Sequence, residues 1–425
     1  MIDLELWLGG RPVAHTVTGA RGAKVRIVYE NSIAEHRGAE VPLLSCSLPT
    51  PGPSQPGKAR AFLEGLLPEG RALAMAAGRV RGVRLAGDGS PETPADAVAL
   101  LAEYGRECAG AVVIVPSGEA PSDEGDYERL DDEELARRVQ ALPDRPLGAD
   151  PEHGIRMSLA GVQDKLLLAR FDGQWFQPRN GAASTHILKV SSDWPGSAEN
   201  EAVVLGLAQR IGLSQGTVHV ERVGDTDVLV VPRYDRQVDG PGRVRRLHQE
   251  DMCQAVGIRP RDKYHIGRPS KRMASVLREW ADSPSREIAR LFEQVAFRAV
   301  VGDEDGHGKN YSLMLDDGTV RMAPLYDSLC TLIYPDLTGR MGTPIGDQQN
   351  LARVDRAALV AEARAMGMTA SQANESVDDL AAGLRTALDA AGRSAPEGGV
   401  REQVVRIITQ RVDRLESGRP LGEPR

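Results

Sequence analysis

Two side chains in the segment GDEDGHGKN have the types and the spacing that phosphoryl transfer requires. Asp305 and Asn310 show the D-x-x-x-x-N spacing of kinase catalytic loops. In that role Asp305 would accept the proton of an attacking hydroxyl group, and Asn310 would hold Mg²⁺. The same residues also suit an ordinary turn, because Gly302, Gly306 and Gly308 favour one and asparagine can cap it. The spacing alone leaves both interpretations open.

A predicted β-hairpin that follows this segment favours the metal interpretation. Residues 311–315 alternate as a strand does, the Asp-Gly pair at 317–318 is typical of a hairpin turn, and residues 320–325 form the return strand. Because a hairpin brings its ends together, we expect Asn310 to lie near Asp327. Amide and carboxylate oxygens are ligands that Mg²⁺ prefers. Asp327 would then correspond to the aspartate of the kinase DFG tripeptide, which reads Tyr-Asp-Ser here.

A lysine within a predicted strand is a candidate for contact with nucleotide phosphates. Lys189 lies in the segment THILKV, where a lysine more commonly faces solvent. Glu201 could orient it, because this carboxylate shares the apolar stripe of a helix predicted over residues 197–211 and needs a partner there. A position in the first helical turn, favourable to the helix dipole, explains Glu201 equally well. Glu199, on a more polar face, is the competing carboxylate.

The segment SLAGVQDK, residues 158–165, is a loop of small residues that leads into an apolar strand. Backbone N–H groups in such a loop could cover phosphates. The segment is not the Walker A pattern, and it contains one glycine. By itself it is compatible with any loop.

The elements predicted around these residues divide the chain into four parts. Residues 1–115 are typical of a small mixed domain, and residues 116–156 of a connecting segment with one helix, over residues 130–142. Residues 157–235 predict a loop, strands, one helix and two more strands, the order of a kinase small lobe. Residues 236–425 are mainly helical and carry the GDEDGHGKN segment. The pattern predicts an α+β fold.

The amino-acid composition limits the classes of protein to which the chain can belong. The chain has 425 residues, 41% hydrophobic and 26% charged, which is ordinary globular usage. Its net charge of -8 gives no general argument for nucleic-acid binding. The four cysteines are scattered, which predicts neither a metal-binding pair nor disulfides and fits the cytoplasm. The N-terminus lacks the pattern of a signal peptide, and the apolar runs are too short to cross a membrane.

Seven motifs, taken in order, resemble those of the HipA toxin kinases. They are SLAGVQDK, THILKV, ENE, RYDR, LHQEDMCQAVG, DGHGKN and PLYDS. The earlier stretches LEGLLPEG and LAEYGRECAGAV are similar to the N-terminal domain of that family. The resemblance covers nearly the whole chain.

The resemblance implies a bilobal protein-kinase-like fold with a β-rich small lobe, a helical large lobe and an additional N-terminal mixed α/β subdomain. It implies transfer of the ATP γ-phosphate, with Mg²⁺, to a serine or threonine of a protein, with an aminoacyl-tRNA synthetase as the expected substrate class. Such phosphorylation stalls translation. The expected partner is a small helix-turn-helix antitoxin of the HipB type, through which alone the chain would reach operator DNA.

The same resemblance implies roles for individual residues. Asp305 would be the catalytic base, Asn310 and Asp327 the metal ligands, and Ser158 a site of autophosphorylation that ejects its loop and silences the enzyme. Contacts with the nucleotide are expected from the loop, the strand lysine, the hinge and the catalytic segment: Ala160, Gly161, Val162, Gln163, Asp164, Lys165, Lys189, Arg233, Tyr234, His307 and Lys309.

The chain departs from the family pattern at two places. Pro232 stands in the hinge where relatives often have an acidic residue, and it cannot donate a backbone hydrogen bond to adenine. Asp303 and Glu304 precede the catalytic aspartate, and extra negative charge there could raise the dependence on Mg²⁺. This acidic pair also motivates an alternative, a catalytically weak kinase fold that acts as a corepressor through its antitoxin. A small-molecule or lipid kinase is a second alternative.

Overall fold

Strands dominate the first part of the chain and helices the last part. The computed structural model describes residues 2–19, 22–36, 40–122, 125–161, 163–191, 194–316, 318–392 and 399–422. The strands are β1 (Leu4–Leu8), β2 (Arg11–Thr18), β3 (Val25–Tyr29), β4 (Val113–Pro116), β5 (Asp126–Leu130), β6 (Lys165–Phe171), β7 (Gln174–Arg179), β8 (His186–Val190), β9 (His219–Val223), β10 (Thr226–Pro232), β11 (Arg236–Gly240), β12 (Arg243–Arg246), β13 (Gln249–Asp251), β14 (Ser312–Asp316), β15 (Thr319–Met322), β16 (Arg340–Ile345) and β17 (Gln348–Asn350).

The helices are α1 (Asn31–His36), α2 (Pro56–Gly65), α3 (Gly70–Arg79), α4 (Pro94–Tyr104), α5 (Asp132–Gln140), α6 (Ser197–Arg210), α7 (Met252–Val256), α8 (Pro269–Trp280), α9 (Pro284–Val301), α10 (Arg356–Ala365), α11 (Ala370–Gly392) and α12 (Val400–Glu416). The chain forms two compact units. The first comprises Met1–Ser192, Glu221–Asp262 and Met314–Thr319, and the second comprises Asp193–Val220, Lys263–Leu313 and Val320–Arg425.

Two antiparallel sheets organise the first unit. One has the strand order β3-β2-β1-β4, and its buried face includes Leu4, Leu6 and Ile27. Helix α4, which packs in the same core, begins at a capping box in which Thr93 and Asp96 satisfy each other's backbone N–H groups. The other sheet has the order β5-β7-β6-β8-β10-β9 and carries the predicted nucleotide-binding strands.

A tight turn and an unexpected edge strand shape this second sheet. Strands β6 and β7 are joined at Asp172 and Gly173, whose φ angles of 49° and 78° are those of the predicted two-residue hairpin turn. Strand β5 pairs with β7, so Leu130 ends a strand and the helix predicted over residues 130–142 begins only at Asp132. The sequence analysis did not predict β5. This strand lies at the edge of the sheet, where half-exposed side chains show no clear alternation.

The second unit is mainly helical, and its helix α9 ends at the catalytic segment. Helix α9 stops at Gly302, which adopts a left-handed φ of 81°. The buried guanidinium of Arg411, on α12, donates hydrogen bonds to the carbonyl oxygens of Ala299 and Val300 in the last turn of α9. These contacts satisfy carbonyl groups that a helix end leaves without an intrahelical partner. The end of α9 is thereby fixed in front of residues 303–310.

The predicted boundaries at residues 115, 156 and 235 remain predictions. Helix α6, predicted with the small lobe, belongs to the second unit. The predicted return strand over residues 320–325 is shorter, Thr319–Met322, and Asp317 of the predicted turn lies outside the described residues. No helix in the described part of the chain is long and apolar enough to span a bilayer.

Candidate active site

The predicted catalytic base, Asp305, is an exposed residue in a mostly buried loop, and its hydrogen bonds are defined. The backbone N–H of Asp305 donates to Asp303 Oδ1 over 3.0 Å, and its carbonyl oxygen accepts from the His307 N–H over 2.6 Å. The hydroxyl of Tyr264 donates to Asp305 Oδ1 over 2.6 Å. These bonds fix the carboxylate at the loop surface, where 53% of the side chain is accessible to solvent.

The pKa of Asp305 is raised to about 6. The largest cause is desolvation by the surrounding protein, which outweighs the lowering effect of the Tyr264 hydrogen bond, and the charges of Asp303 and Asp327 raise the pKa further. A carboxyl group with a raised pKa is better suited to accept a proton from a hydroxyl group near neutral pH.

A buried arginine that the sequence analysis did not single out organises this loop. Arg298 pairs with the carboxylate of Asp303 and donates to the carbonyl oxygens of Asn310 over 3.0 Å, Tyr326 over 2.6 Å and Asp327 over 2.9 Å. One guanidinium therefore joins the start of the catalytic loop to the backbones of both predicted metal ligands. The charge of a guanidinium and its several fixed donors make this multiple contact possible.

The role of Asp303 differs from the prediction. Asp303 is 4% exposed, and its Oδ2 also accepts a hydrogen bond from the Ser328 hydroxyl over 2.8 Å. Burial raises the pKa of this carboxyl, while the Arg298 guanidinium counteracts the rise. Asp303 is therefore balanced by Arg298 inside the protein, and the effect of the acidic pair on Mg²⁺ dependence remains a prediction.

Asn310 and Asp327, the predicted metal ligands, lie close together where the hairpin begins and ends, and their metal binding stays a prediction. The Asn310 amide nitrogen lies 3.4 Å from the carbonyl oxygen of Asp327. Asp327 has a left-handed φ of 52°, unusual for a residue other than glycine, and its carbonyl is held by Arg298 in that conformation. An amide oxygen and a carboxylate fit Mg²⁺, which commonly takes one or two protein carboxylates and completes its shell with phosphates and water. Among the described residues there is no cluster of three acidic, histidine or cysteine side chains that could hold a metal.

His307 and Lys309 lie within the same loop and are buried, at 5% and 7% exposure. The His307 ring contacts the Tyr264 ring edge to face, with centroids 5.0 Å apart. The carbonyl oxygen of Lys309 accepts a hydrogen bond from the Tyr326 hydroxyl over 2.6 Å. Both residues are part of the packed loop, and their predicted contact with phosphates remains a prediction.

In the first unit, two lysines lie directly opposite each other. Lys165 on β6 pairs in register with Lys189 on β8, and both are buried, at 6% and 7% exposure. Like charges in this arrangement repel each other unless negative groups balance them. The Lys165 ammonium donates to the Ala160 carbonyl oxygen over 2.8 Å, which ties the strand to the predicted phosphate loop. Two neighbouring cations suit a polyphosphate ligand.

The predicted phosphate loop packs against the protein instead of projecting into solvent. Ser158 is fully buried; its hydroxyl donates to the Leu66 carbonyl over 2.6 Å and its N–H to the Glu107 carbonyl over 2.8 Å. Gly161 has a φ of 114°, and a Cβ there would collide with the Lys165 ammonium. The Gln163 amide donates to the Val190 carbonyl over 3.2 Å, and Asp164 is half-buried. Val162 lies outside the described residues.

The predicted hinge residues have their side chains engaged in the protein. The guanidinium of Arg233 is buried and donates to Glu107, Asp235 and Ser184. Its backbone N–H donates to the Thr185 carbonyl oxygen over 2.9 Å. The Tyr234 hydroxyl donates to Gln249 Oε1 over 2.8 Å. The prediction of a nucleotide contact by the Arg233 side chain therefore has no support in this arrangement.

The two competing carboxylates of α6 differ in burial. Glu201 is 4% exposed, whereas Glu199 has 39% of its side chain exposed and lies 4.0 Å from the Arg401 guanidinium. The buried carboxylate is the better candidate for orienting a lysine, because a buried charge needs a partner. A pairing of Glu201 with Lys189 remains a prediction.

Comparison with known proteins assigns the chain to a family. The model of the HipA-like C-terminal domain matches residues 157–388, and the model of the HipA N-terminal domain matches residues 4–115. The chain belongs to the HipA family. It is 38% identical over 361 residues to the putative kinase Y4mE of Sinorhizobium fredii, covering 83% of each chain. It is 28% identical over 322 residues to the serine/threonine-protein kinase toxin HipA of Shewanella oneidensis, covering 72% of this chain and 70% of that protein.

The solved structures agree with this assignment. The structure of the Shewanella oneidensis MR-1 toxin–antitoxin complex of HipA, HipB and operator DNA contains a chain that matches 97% of this one, with a TM-score of 0.79, 24% sequence identity and 97% of its own length covered. The predicted α+β, kinase-like fold is thereby confirmed. This HipA-family chain is a member of a kinase toxin family.

The sequence analysis missed Arg298 and Tyr264. Arg298 lies on the last turn of α9 between buried apolar residues, where a single charge among apolar neighbours was a usable signal. Tyr264 gives no such signal, because it comes from a segment far from the catalytic loop in the sequence and reaches it only through the fold.

Proposed function

We propose that this HipA-family chain is a cytoplasmic serine/threonine-protein kinase toxin that uses ATP and Mg²⁺. It transfers the γ-phosphate to a serine or threonine of a cytosolic protein, with an aminoacyl-tRNA synthetase as the expected substrate, and thereby inhibits translation and growth. The observation that carries the proposal is the Asp305 carboxylate, exposed beside Asn310 and Asp327, whose backbones Arg298 holds together.

Each group of predicted residues has one task in this proposal. Lys165 and Lys189 bind phosphate oxygens, and Asn310 and Asp327 would hold Mg²⁺, which supplies charge neutralisation on the phosphates when bound. Asp305 orients the acceptor hydroxyl and takes its proton as the oxygen attacks the γ-phosphorus. Arg298 touches no reactant and acts only by positioning the loop.

The experiment that tests the kinase assignment compares phosphoproteomes after expression of the wild type and of Asp305→Asn. We expect new phosphoserine or phosphothreonine sites and growth arrest with the wild type, and neither with Asp305→Asn. As a matched control, Asp316→Asn changes an exposed aspartate at the end of β14 and should behave as the wild type. Persistent phosphorylation and arrest with Asp305→Asn would contradict the assignment.

We also propose that the kinase silences itself by phosphorylating Ser158. The fully buried hydroxyl supports this proposal, because a phosphate could not be accommodated against the Leu66 carbonyl and would force the loop out of its closed position. Mass spectrometry of protein expressed alone should find phosphate on Ser158, and Asp305→Asn should abolish it. Phosphate found only on other residues would contradict self-silencing through this loop.

We further propose a helix-turn-helix antitoxin as the regular partner, through which the chain reaches operator DNA. Support comes from the Shewanella oneidensis HipA, whose structure was determined with HipB and operator DNA. Co-expression with the helix-turn-helix protein of a neighbouring gene should restore growth, and the two proteins should co-elute. Operator binding by the chain without that protein would contradict the indirect route.

The corepressor alternative loses part of its motivation. It was based on the acidic residues before Asp305, and Asp303 is paired with Arg298 inside the protein. Growth arrest that disappears with Asp327→Ala while antitoxin binding persists would exclude the alternative. No contact among the described residues favours a small-molecule or lipid substrate over a protein.

A further inference from the structure

Tyr264 is an exposed tyrosine whose ring is nevertheless held in one place. It is 49% exposed, its ring packs edge to face on the buried His307 ring at 5.0 Å, and a Cβ added to Gly342 would lie 3.2 Å from its Cε1 atom. The absence of a side chain at Gly342 therefore leaves the space that the ring occupies. From this position the hydroxyl reaches Asp305 Oδ1 at 2.6 Å.

The Tyr264 hydroxyl is in the position that an acceptor hydroxyl needs. A catalytic base must accept a hydrogen bond from the attacking hydroxyl at about 2.6–3.2 Å. Oδ1 of Asp305 already accepts one from a phenol, and Oδ2 lies 4.0 Å from His307 Nε2. A hydrogen bond to an ionised carboxylate is among the stronger ones in proteins. An incoming acceptor must therefore displace the phenol or compete with it.

We propose that Tyr264 is a specificity-determining residue that occupies the acceptor position at Asp305 and yields to a protein hydroxyl but not to water. The proposal rests on the kinase function proposed above. A protein acceptor brings binding free energy from its other contacts, which can offset the loss of the Tyr264–Asp305 hydrogen bond. A single water molecule brings none, so Tyr264 suppresses hydrolysis of ATP while no acceptor is bound.

The suppressed reaction is the transfer of the γ-phosphate to water. The oxygen of water attacks the γ-phosphorus, the bond from that phosphorus to the β–γ bridging oxygen breaks, and ADP leaves with the electron pair. Asp305 takes one proton of the water, and inorganic phosphate forms. Each step uses only ATP, water and Asp305, so removal of the phenol hydroxyl is enough to open the position.

The test measures phosphate release from ATP and Mg²⁺ alone, with the full chain and no protein acceptor. All proteins carry Ser158→Ala, so that transfer to that serine does not contribute. We expect Tyr264→Phe, which keeps the ring, to raise phosphate release roughly tenfold over its parent, since a hydrogen bond to a charged group is worth about that factor or more. Tyr127→Phe is the matched control: its hydroxyl donates to the Ala183 carbonyl in the first unit, and its rate should equal that of the parent.

The outcomes separate the failure of this inference from the failure of the kinase. Phosphate release that is equal or lower in Tyr264→Phe than in the parent, with Asp305-dependent release still present, would overturn only the role of Tyr264. Absence of any Asp305-dependent release from both proteins would overturn the inference, and the phosphoproteome comparison of the wild type with Asp305→Asn would decide separately whether the chain is a kinase. In addition, the ¹³Cζ resonance of Tyr264 should shift in Asp305→Asn, and an unchanged resonance would show that the hydroxyl does not contact Asp305.

Discussion

Two buried arginine–carboxylate clusters, one in each compact unit, differ in how completely their acids are paired. In the first unit Glu107 is contacted by three guanidinium groups, those of Arg233, Arg236 and Arg246. In the second unit Arg298 pairs with Asp303. Two residues further on, Asp305 accepts its hydrogen bond from a neutral phenol instead. The Glu107 carboxylate is thus paired with three cations, whereas the Asp305 carboxylate is hydrogen-bonded to a neutral group.

The pKa values follow this difference. Burial alone would raise the pKa of Glu107, but the three arginines lower it well below its ordinary value. Burial also raises the pKa of Asp305, and no comparable lowering offsets it, so the pKa is about 6. A fully paired acid is fixed as an ion and serves structure, whereas a partly paired acid can exchange a proton near neutral pH.

The largest effect is expected from Glu107→Gln. The substitution keeps the shape of the side chain but leaves three arginines without their common carboxylate, two of them with only 1% of the side chain exposed. We expect a loss of about 3–5 kcal/mol in the free energy of unfolding, measured by urea denaturation. Glu416→Gln, which removes an exposed partner of Arg385, is the control and should cost less than about 1 kcal/mol. Equal losses would show that the cluster does not stabilise the fold.

Arg298→Met should combine a loss of stability with a loss of activity. Asp303 would become a buried charge without a cation, at a cost of about 3–5 kcal/mol. The carbonyl oxygens of Asn310 and Asp327 would also lose their donor, so phosphate release should fall to the background measured with Asp305→Asn.

A double variant separates these two effects. Arg298→Met combined with Asp303→Leu removes both charges, and replacement of a buried ion pair by apolar residues is often neutral for stability. We expect stability to recover largely and activity to stay lost, because the loop backbone still lacks its donor. Recovery of phosphate release in the double variant would show that Arg298 only neutralises Asp303.

More of the fold than of the candidate active site could be predicted from the sequence. Hairpin turns such as Asp172-Gly173 and helices with an apolar stripe depend on neighbouring residues, so their patterns are visible in the chain. The convergence of Asn310 and Asp327 was predictable for the same reason, since one hairpin joins them. Edge strand β5 was missed because solvent on one side removes the alternation that marks a strand.

The contacts that depend on distant parts of the chain were not predictable. Tyr264 and Asp305 are 41 positions apart, and Glu107 and Arg233 are 126 apart. Nothing in the local pattern distinguishes Asp303, a structural ion, from Asp305, an exposed acid two residues later. Only burial, which the whole fold determines, separates their roles.

Glu250 tests the comparison with a buried acid that is hydrogen-bonded by a backbone N–H instead of by an arginine. Its Oε1 accepts from the Cys46 N–H over 2.7 Å, and burial raises its pKa to about 7. Because the folded pKa lies above the ordinary 4.5, the folded state binds the proton more tightly, and stability falls as pH rises from 4.5 through 7. We expect the wild type to lose about 2 kcal/mol between pH 5 and pH 8, and Glu250→Gln to lose clearly less. Parallel stability curves for the two proteins would contradict this.

Asp305 should give the smallest effect, and the one that bears most directly on function. With a pKa of about 6 the base is mostly ionised at pH 7 and mostly protonated at pH 5. The rate of phosphate release from the Tyr264→Phe protein should therefore fall about tenfold or more from pH 7 to pH 5, because loss of the Tyr264 hydrogen bond raises the pKa of Asp305 further. Since the folded pKa of about 6 lies above the ordinary 3.8, stability is lost as the pH rises from 3.8 through 6, so Asp305→Asn should be more stable than the wild type at pH 8 and nearly equally stable at pH 4. A rate that does not change between pH 5 and pH 7 would mean that the proton from the acceptor goes to another group. The difference in pairing between Asp305 and Glu107 would then have no consequence for catalysis.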